Sequence, residues 1–253
     1  MKSLSDWFQT PPGQYLLAWE KAQLDESVAN VFGFHGVQLG LPEVNGLWAN
    51  RMPHRWLALD VPVTTGSDFL CDFSALPFAE SSLDLVIMPH TLELTSDPHA
   101  ALREAARVLV PEGRLVLTCF NPTSLWGVRQ SLSNRLSKHG WGDSFVPSPG
   151  EWLGYWRLRD WLRLLGFEIE STEFGCYRPA LNQQGWLDHM AGMDRWGPRW
   201  WPIFGAAYCL VAVKKVHGMR LMGPAWRKTA LVPSRVRAPA THCESRNGSN
   251  ENG

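Results

Sequence analysis

Short apolar runs alternate with segments of helical periodicity through the middle of the chain. Residues 85–88 and 115–120 are continuous apolar runs, which are typical of parallel strands buried on both faces. Between them, Asp97 stands as an N-cap before a proline, and apolar residues then recur at helical spacing until Pro111-Glu112-Gly113. This order of strand, helix, turn and strand predicts a βαβ unit and therefore a parallel sheet.

The same alternation extends in both directions from this unit. Further strands are predicted over residues 36–40, 55–60, 68–72, 167–170 and 206–213, and a second helix over 158–165 that ends at Gly166. Only seven residues separate Asp60 from Asp68, fewer than a parallel crossover normally takes. Either the helix expected there is missing, or one of those two strands is misread. The pattern predicts an α/β fold with helices on both faces of the sheet.

Five polar or glycine positions follow predicted strands and are the candidates for chemistry. They are Gly40, Asp60, Asp72, His90 and Asn121. Ligands of open α/β sheets bind beyond the carboxyl ends of the strands, where these residues should lie. Each also has a purely structural interpretation: a turn or helix cap for the two aspartates, a hydrogen-bonded framework residue for His90, and a turn for Asn121 with the proline that follows it.

Charge is unevenly distributed along the chain and helps to divide it into segments. Residues 1–113 carry 6 basic and 14 acidic side chains, whereas residues 114–253 carry 18 basic and 10 acidic. Seven basic residues and no acid lie between Lys214 and Arg237, so that segment is either a solvated tail or a contact for nucleic acid or an anionic membrane. We expect a helical segment over 1–30, a domain over 31–216, and a basic, disordered tail over 217–253.

Cysteine usage and hydropathy indicate the compartment. The five cysteines are odd in number and scattered, which predicts free thiols in a reducing cytoplasm. No apolar run is long enough to predict a transmembrane helix, and no secretory signal is recognised. The eight histidines lack ligand spacing, so no metal site is predicted.

Several motifs of the sequence resemble those of one protein family, in the same order and at the same spacing. Residues 76–86 (LPFAESSLDLV) resemble the "LPFxxxSFDLV" stretch of class I S-adenosylmethionine-dependent methyltransferases in their type-11 branch. Residues 90–93 (HTLE) resemble the "HxLEH" of that branch, and residues 97–115 resemble its "DPxxxLREixRVLxPGGxL". Residues 121–127 (NPTSLWG) are similar to a small bacterial subgroup of uncharacterised methyltransferase-like proteins.

The resemblance implies a Rossmann-like sheet of about seven strands, the last one antiparallel, with S-adenosyl-L-methionine bound across the strand ends. It places Asp72 at the adenine edge, with Phe73 against the purine, and Asp60 at the ribose hydroxyls. Met88 and His90 would lie near the cofactor, His90 beside its methionine portion and the acceptor. If the reaction uses a general base, His90 is the candidate.

The glycine loop departs from the family pattern "DxGxGxG". Gly40 matches the first glycine, but Pro42 and Val44 replace the next two, and Gln38 replaces the acid. Gln38 can still accept a hydrogen bond from an ammonium group. The sequence therefore leaves two functions open: a methyltransferase acting on a small or lipophilic acceptor, or a methyltransferase-like binding protein with weakened catalysis that contacts RNA or an anionic membrane through its basic segment. If the chain is a working methyltransferase, Gln14 and Tyr15 are candidates to replace the missing partners of the cofactor's amino acid end. The alternative is that this segment only packs as a helix on the sheet, with Tyr15 exposed.

Tryptophan is the last unusual feature. Fourteen residues are Trp, and eight of them lie between Trp141 and Trp201. This Trp-rich insertion is either an ordinary core or an aromatic wall beside the acceptor site.

Overall fold

The computed structural model describes residues 4–61, 66–138, 145–147, 150–179, 190 and 192–215. The predicted tail, the basic segment beyond Lys215, and Trp141 and Trp186 of the Trp-rich insertion lie outside the described residues. The helices are α1 (Leu4–Phe8), α2 (Pro11–Ala29), α3 (Thr91–Leu94), α4 (Pro98–Val108), α5 (Leu125–Lys138), α6 (Tyr155–Leu164) and α7 (Gly192–Trp200), with a 3-10 turn over Pro202–Phe204. The strands are β1 (His35–Leu39), β2 (His54–Leu59), β3 (Phe69–Leu70), β4 (Leu83–Pro89), β5 (Leu109–Phe120), β6 (Phe167–Gly175) and β7 (Ala207–Lys214).

The seven strands form one sheet in the order β3-β2-β1-β4-β5-β7-β6. β7 runs antiparallel to β5 and β6, and the pairs from β3 to β5 are parallel. The predicted fold class is thereby confirmed. β2 and β3 pair in parallel, with Ala58 opposite Phe69, so neither of those closely spaced strands was misread.

Two apolar layers cover the two faces of the sheet. On one face, the N-terminal helices α1 and α2 pack with the loop after β1, and on the other, α4 and α6 pack on the alternate residues of the same strands. The predicted N-cap is present, because the Asp97 carboxylate accepts a hydrogen bond from the Ala100 N–H at 2.9 Å. The strand order reverses between β1 and β4, which is where an open α/β sheet accepts its ligand.

β5 begins six residues earlier than the sequence predicts. The helix already ends at Val108, three residues before the predicted stop at 111–113, and residues 111–113 form an irregularity within the strand: Leu109 pairs with Leu83, and Arg114 pairs with Leu85. Glu112 has φ of +64°, which accommodates the extra residues.

Candidate functional site at the carboxyl edge of the sheet

The chain leaves β1 through a loop, residues 40–53, made of turns rather than a helix. Gly40 has φ of +81°, a conformation that glycine adopts without strain. Leu41, Val44 and Leu47 point into the apolar layer beneath α2, and Val44 is only 1% exposed. Val44 is the residue at the third glycine position of the family pattern, so this loop has become part of the core.

The side chain of Gln38, in β1, holds this loop through three hydrogen bonds to its backbone. Its Nε2 donates to the carbonyl oxygens of Gly40 and Leu41 at 3.1 and 2.8 Å, and its Oε1 accepts from the Gly46 N–H at 2.7 Å. The side chain is buried, and both amide protons are used. The predicted cofactor ligand Gln38 is therefore engaged with its own loop.

His90 ends β4 and lies between two carboxylates. Its Nε2 is 2.6 Å from Glu20 Oε1 of α2, and its Nδ1 is 2.7 Å from Glu93 Oε2 of α3. The other oxygen of Glu93 accepts from the Phe120 N–H at 2.6 Å. The imidazole is 0% exposed and also contacts the Phe120 ring, with 4.1 Å between the ring centroids.

This environment sets the charge of His90. Burial disfavours the charged ring, but the carboxylates of Glu20 and Glu93 outweigh that effect and raise the pKa of His90 to about 10. The ring is therefore protonated near neutral pH and closed off from solvent. A general base must be unprotonated and within reach of the substrate, so this placement argues against the predicted catalytic role of His90.

The two aspartates have a different environment. Asp60 and Asp72 are both exposed, beyond the ends of the neighbouring strands β2 and β3. One oxygen of Asp72 accepts from the N–H and the hydroxyl of Ser74 at 2.8 and 2.7 Å, and these two hydrogen bonds lower the pKa of its carboxyl group. Asp72 is thus both a turn residue, as its structural interpretation required, and an ionised carboxylate facing solvent.

The two predicted apolar contacts are buried on the α4 side of the sheet. Phe73 and Met88 belong to the layer that also contains Leu39. A side chain at Gly40 would stand 3.6 Å from the Thr91 hydroxyl and 3.9 Å from the Phe73 ring, so the Phe73 ring lies close to the loop glycine. The structure brings Gly40 and Phe73 together at the switch point.

A cavity of about 500 Å³ lies beside these residues, between the 40–53 loop and β2. Charged and aromatic side chains line it, among them Glu43, Trp48, Arg55, Trp56 and Asp68. Of the residues predicted to bind cofactor, Gln38 alone lines this cavity. This cavity is thus offset from the predicted strand-end site.

In the N-terminal segment, Tyr15 is engaged with α7 and with the residues that follow β6. The Tyr15 hydroxyl donates to Asp194 of α7, and its ring lies 4.5 Å from the Arg178 guanidinium. Gln14 is exposed. Tyr15 therefore joins α2 to α7, and its hydroxyl is already engaged by Asp194.

Glu20 is the functional-site residue that motif analysis missed. A signal was present, because the buried face of α2 consists of Leu16, Glu20, Leu24 and Val28 at intervals of four residues. A carboxylate within such an apolar stripe needs a buried partner. The sequence does not identify His90, seventy residues away, as that partner.

The comparisons with known proteins agree with this topology. Residues 58–117 match a family model described as a methyltransferase domain. The uncharacterised protein YafS of Escherichia coli is 35% identical over 167 residues, which are 64% of this chain and 65% of that protein. The match thus spans slightly less than two thirds of this curated relative.

Two solved structures share the fold. A methyltransferase of Thermotoga maritima has a TM-score of 0.54 at 16% identity, covering 83% of this chain and 94% of that one. The [4+2]-cyclase SpnF has a TM-score of 0.55 at 20% identity, covering 81% and 82%. At these identities the likeness concerns the fold, and one fold can host different reactions. Together with the family match, these findings confirm the predicted resemblance: residues 58–117 match a methyltransferase-domain model, and the chain has the Rossmann-like fold of solved S-adenosylmethionine-dependent methyltransferases.

Proposed function

We propose that this protein is an S-adenosylmethionine-dependent methyltransferase that acts on a small or lipophilic acceptor. The observation that carries the proposal is the pair of exposed carboxylates, Asp60 and Asp72, at adjacent strand ends. Both lie within the stretch that matches the methyltransferase family model. Two acids at this position suit the hydroxyl and amine donors of an adenosine group.

S-Adenosylmethionine would supply a methyl group that is already activated by its sulfonium. The protein's task is then alignment of the acceptor with that methyl group, which does not require a strong base. In this proposal Asp60 accepts from the ribose hydroxyls and Asp72 from the adenine amine, while Gly40 lets the backbone approach the ligand. His90 contributes indirectly, by joining α2 to the end of β4.

The fit to the cofactor is uneven along its length. The acids at Asp60 and Asp72 are exposed, so they fit the adenosine part. The partners expected for the amino acid part do not fit, because Gln38 is bound to its own loop and His90 is enclosed by two carboxylates. We therefore propose that the adenosine part provides most of the affinity.

The uneven fit to the cofactor also favours a second function, a methyltransferase-like binding protein that does not catalyse methyl transfer. Val44 fills the position where the family has a glycine, and the loop is packed as core. A protein of this kind would bind the adenosine group without holding the methyl group in line.

Transfer of a labelled methyl group separates the two functions. The full chain is incubated with methyl-labelled S-adenosylmethionine and with bacterial lipid and small-molecule extracts, and its binding of S-adenosylhomocysteine is measured in parallel. Binding with labelled product supports the enzyme, and binding without product supports the binding protein. No binding heat and no thermal shift at millimolar ligand would refute both.

A further inference from the structure

An exposed aromatic surface lies on α7 and the 3-10 turn that follows it. Its apolar members are 42 to 64% exposed, although they are large: Trp196, Trp200, Trp201, Ile203 and Phe204. With Arg195 and Arg199 they form what we call the aromatic edge patch. Several large exposed apolar side chains close together in sequence, as here, are typical of a site of interaction. The core-packing interpretation of the Trp-rich insertion therefore fails for these three tryptophans, whereas Trp152 is buried and stacks on Phe120.

The inner side of α7 is firmly anchored, so the patch has a fixed orientation. Gly197 packs directly under the Tyr177 ring, where a side chain would stand 2.3 Å from it. Asp194 accepts from Arg178 Nε at 2.7 Å, and the Tyr177 hydroxyl donates to the Pro202 carbonyl at 3.0 Å. These contacts use the residues that face the domain and leave the aromatic edge patch facing outward.

The charge of the patch is positive. Arg195 and Arg199 are exposed, and Asp194 is the only acid between residues 192 and 204. Because the Asp194 carboxylate is paired with Arg178 on the inner side, it does not neutralise the outer arginines.

The patch lies at the same edge of the sheet as the proposed ligand site. Asn121, which follows β5, donates from Nδ2 to the carbonyls of Ile203 and Gly205 at 2.6 and 2.9 Å. Trp156 is also exposed, and its neighbour Tyr155 contacts Phe174 near the end of β6. Molecules held at the patch would therefore be next to the carboxyl ends of the strands.

We infer that the aromatic edge patch docks on the surface of an anionic lipid bilayer. Tryptophan is favoured at the boundary between headgroups and acyl chains, and arginine is attracted to anionic headgroups. Ile203 and Phe204 have no polar side-chain atoms, and two arginines are few for tracking a phosphate backbone, so a bilayer fits better than RNA. No helix in the described residues is long and apolar enough to cross a membrane, which makes the contact interfacial.

Vesicle flotation with the full chain tests this inference and does not depend on methyl transfer. The vesicles are equimolar phosphatidylcholine and phosphatidylglycerol, with pure phosphatidylcholine for comparison. The triple variant Trp200→Ala, Trp201→Ala, Phe204→Ala should partition at least about tenfold less, since its apolar contact area is lost. The pair Arg195→Gln and Arg199→Gln should lose on the order of tenfold on anionic vesicles only.

The matched control is Phe32→Ala with Phe34→Ala. These two phenylalanines are 82% and 68% exposed but lie before β1, at the opposite edge of the sheet, so the control should bind vesicles like the unmodified chain. Melting curves check that each variant is folded. If the triple variant does not fold, the single variant Trp200→Glu is used in its place. Absence of vesicle binding by the unmodified chain would overturn the inference. Vesicle binding by the patch variants equal to that of the unmodified chain would overturn it as well. Binding to single-stranded RNA is measured in parallel, and a loss of RNA binding without a loss of vesicle binding in these variants would also overturn the inference.

Discussion

The carboxyl edge of the sheet has two halves that differ in this protein: the ends of β2 and β3, and the loop that follows β1. On the side of β2 and β3, within the family match, Asp60 and Asp72 remain exposed carboxylates. On the side of β1, outside the match, the loop is packed with Leu41 and Val44 and tied down by Gln38. Under the proposed function, the acids for the adenosine part are exposed, whereas the positions expected to hold the amino acid part are packed as core.

His90 follows β4 within the family match but is buried like the β1 loop, and its replacement should have the largest effect. His90→Ala would leave the carboxylates of Glu20 and Glu93 buried without the cation between them. Removing one partner of a buried ion pair costs about 3–5 kcal/mol, so we expect a loss of that order in the free energy of unfolding. Urea denaturation measures it, and the exposed His54→Ala serves as control with a change below about 0.5 kcal/mol. A loss no larger than that of the control would show that the three groups contribute nothing to stability.

Gln38→Glu tests the loop itself, because it restores the acid of the family pattern. A carboxylate cannot donate to the carbonyls of Gly40 and Leu41, as Gln38 Nε2 does. Leaving buried polar groups without partners costs about 1–3 kcal/mol each, so we expect lower thermal stability and no gain in affinity for S-adenosylhomocysteine. Tighter binding in a protein of unchanged stability would mean that the loop still faces the ligand.

Asp72→Ala tests the first half. Loss of hydrogen bonds to a charged acceptor costs roughly 1.5–3 kcal/mol, or tenfold to a hundredfold in affinity. Calorimetry should therefore show weaker binding of S-adenosylhomocysteine, and the melting curve should change little because the Asp72 side chain is exposed. Glu26→Ala, an exposed acid on α2, should leave both unchanged. If Asp72→Ala binds normally, Asp72 is only the turn residue that caps Ser74.

The fold was readable from the sequence because its strands are buried on both faces and therefore appear as apolar runs. The helix start at Asp97 was readable for a similar local reason, since an N-cap depends on neighbouring residues. The ion pairs of His90 were not, because they join α2, β4 and α3 across a long stretch of sequence. The burial of Val44 also depends on tertiary packing: the substitution of the glycine is visible in sequence, but the direction of its side chain is not.

The smallest effect we predict is on the pH dependence of stability. The pKa of His90 is raised in the folded state, so its contribution to stability is complete below the unfolded value of about 6.5 and is lost as pH rises toward the folded value. Thermal melting between pH 6 and pH 8, below the range of thiol ionisation, should show falling stability. In Glu20→Gln, one of the two carboxylates beside His90 is neutral, so the decline should be shallower. An equal slope in both proteins would contradict the assignment of His90 as the titrating group.

We propose above all that this protein recognises the adenosine part of the cofactor and has few partners for the amino acid part. Calorimetric comparison of S-adenosylhomocysteine with 5′-methylthioadenosine, which lacks the amino acid part, tests it most directly. We predict that both bind and that their affinities differ by less than about tenfold, which is about 1.4 kcal/mol. A preference for S-adenosylhomocysteine of a hundredfold or more would show that the amino acid part is well held and would contradict the claim.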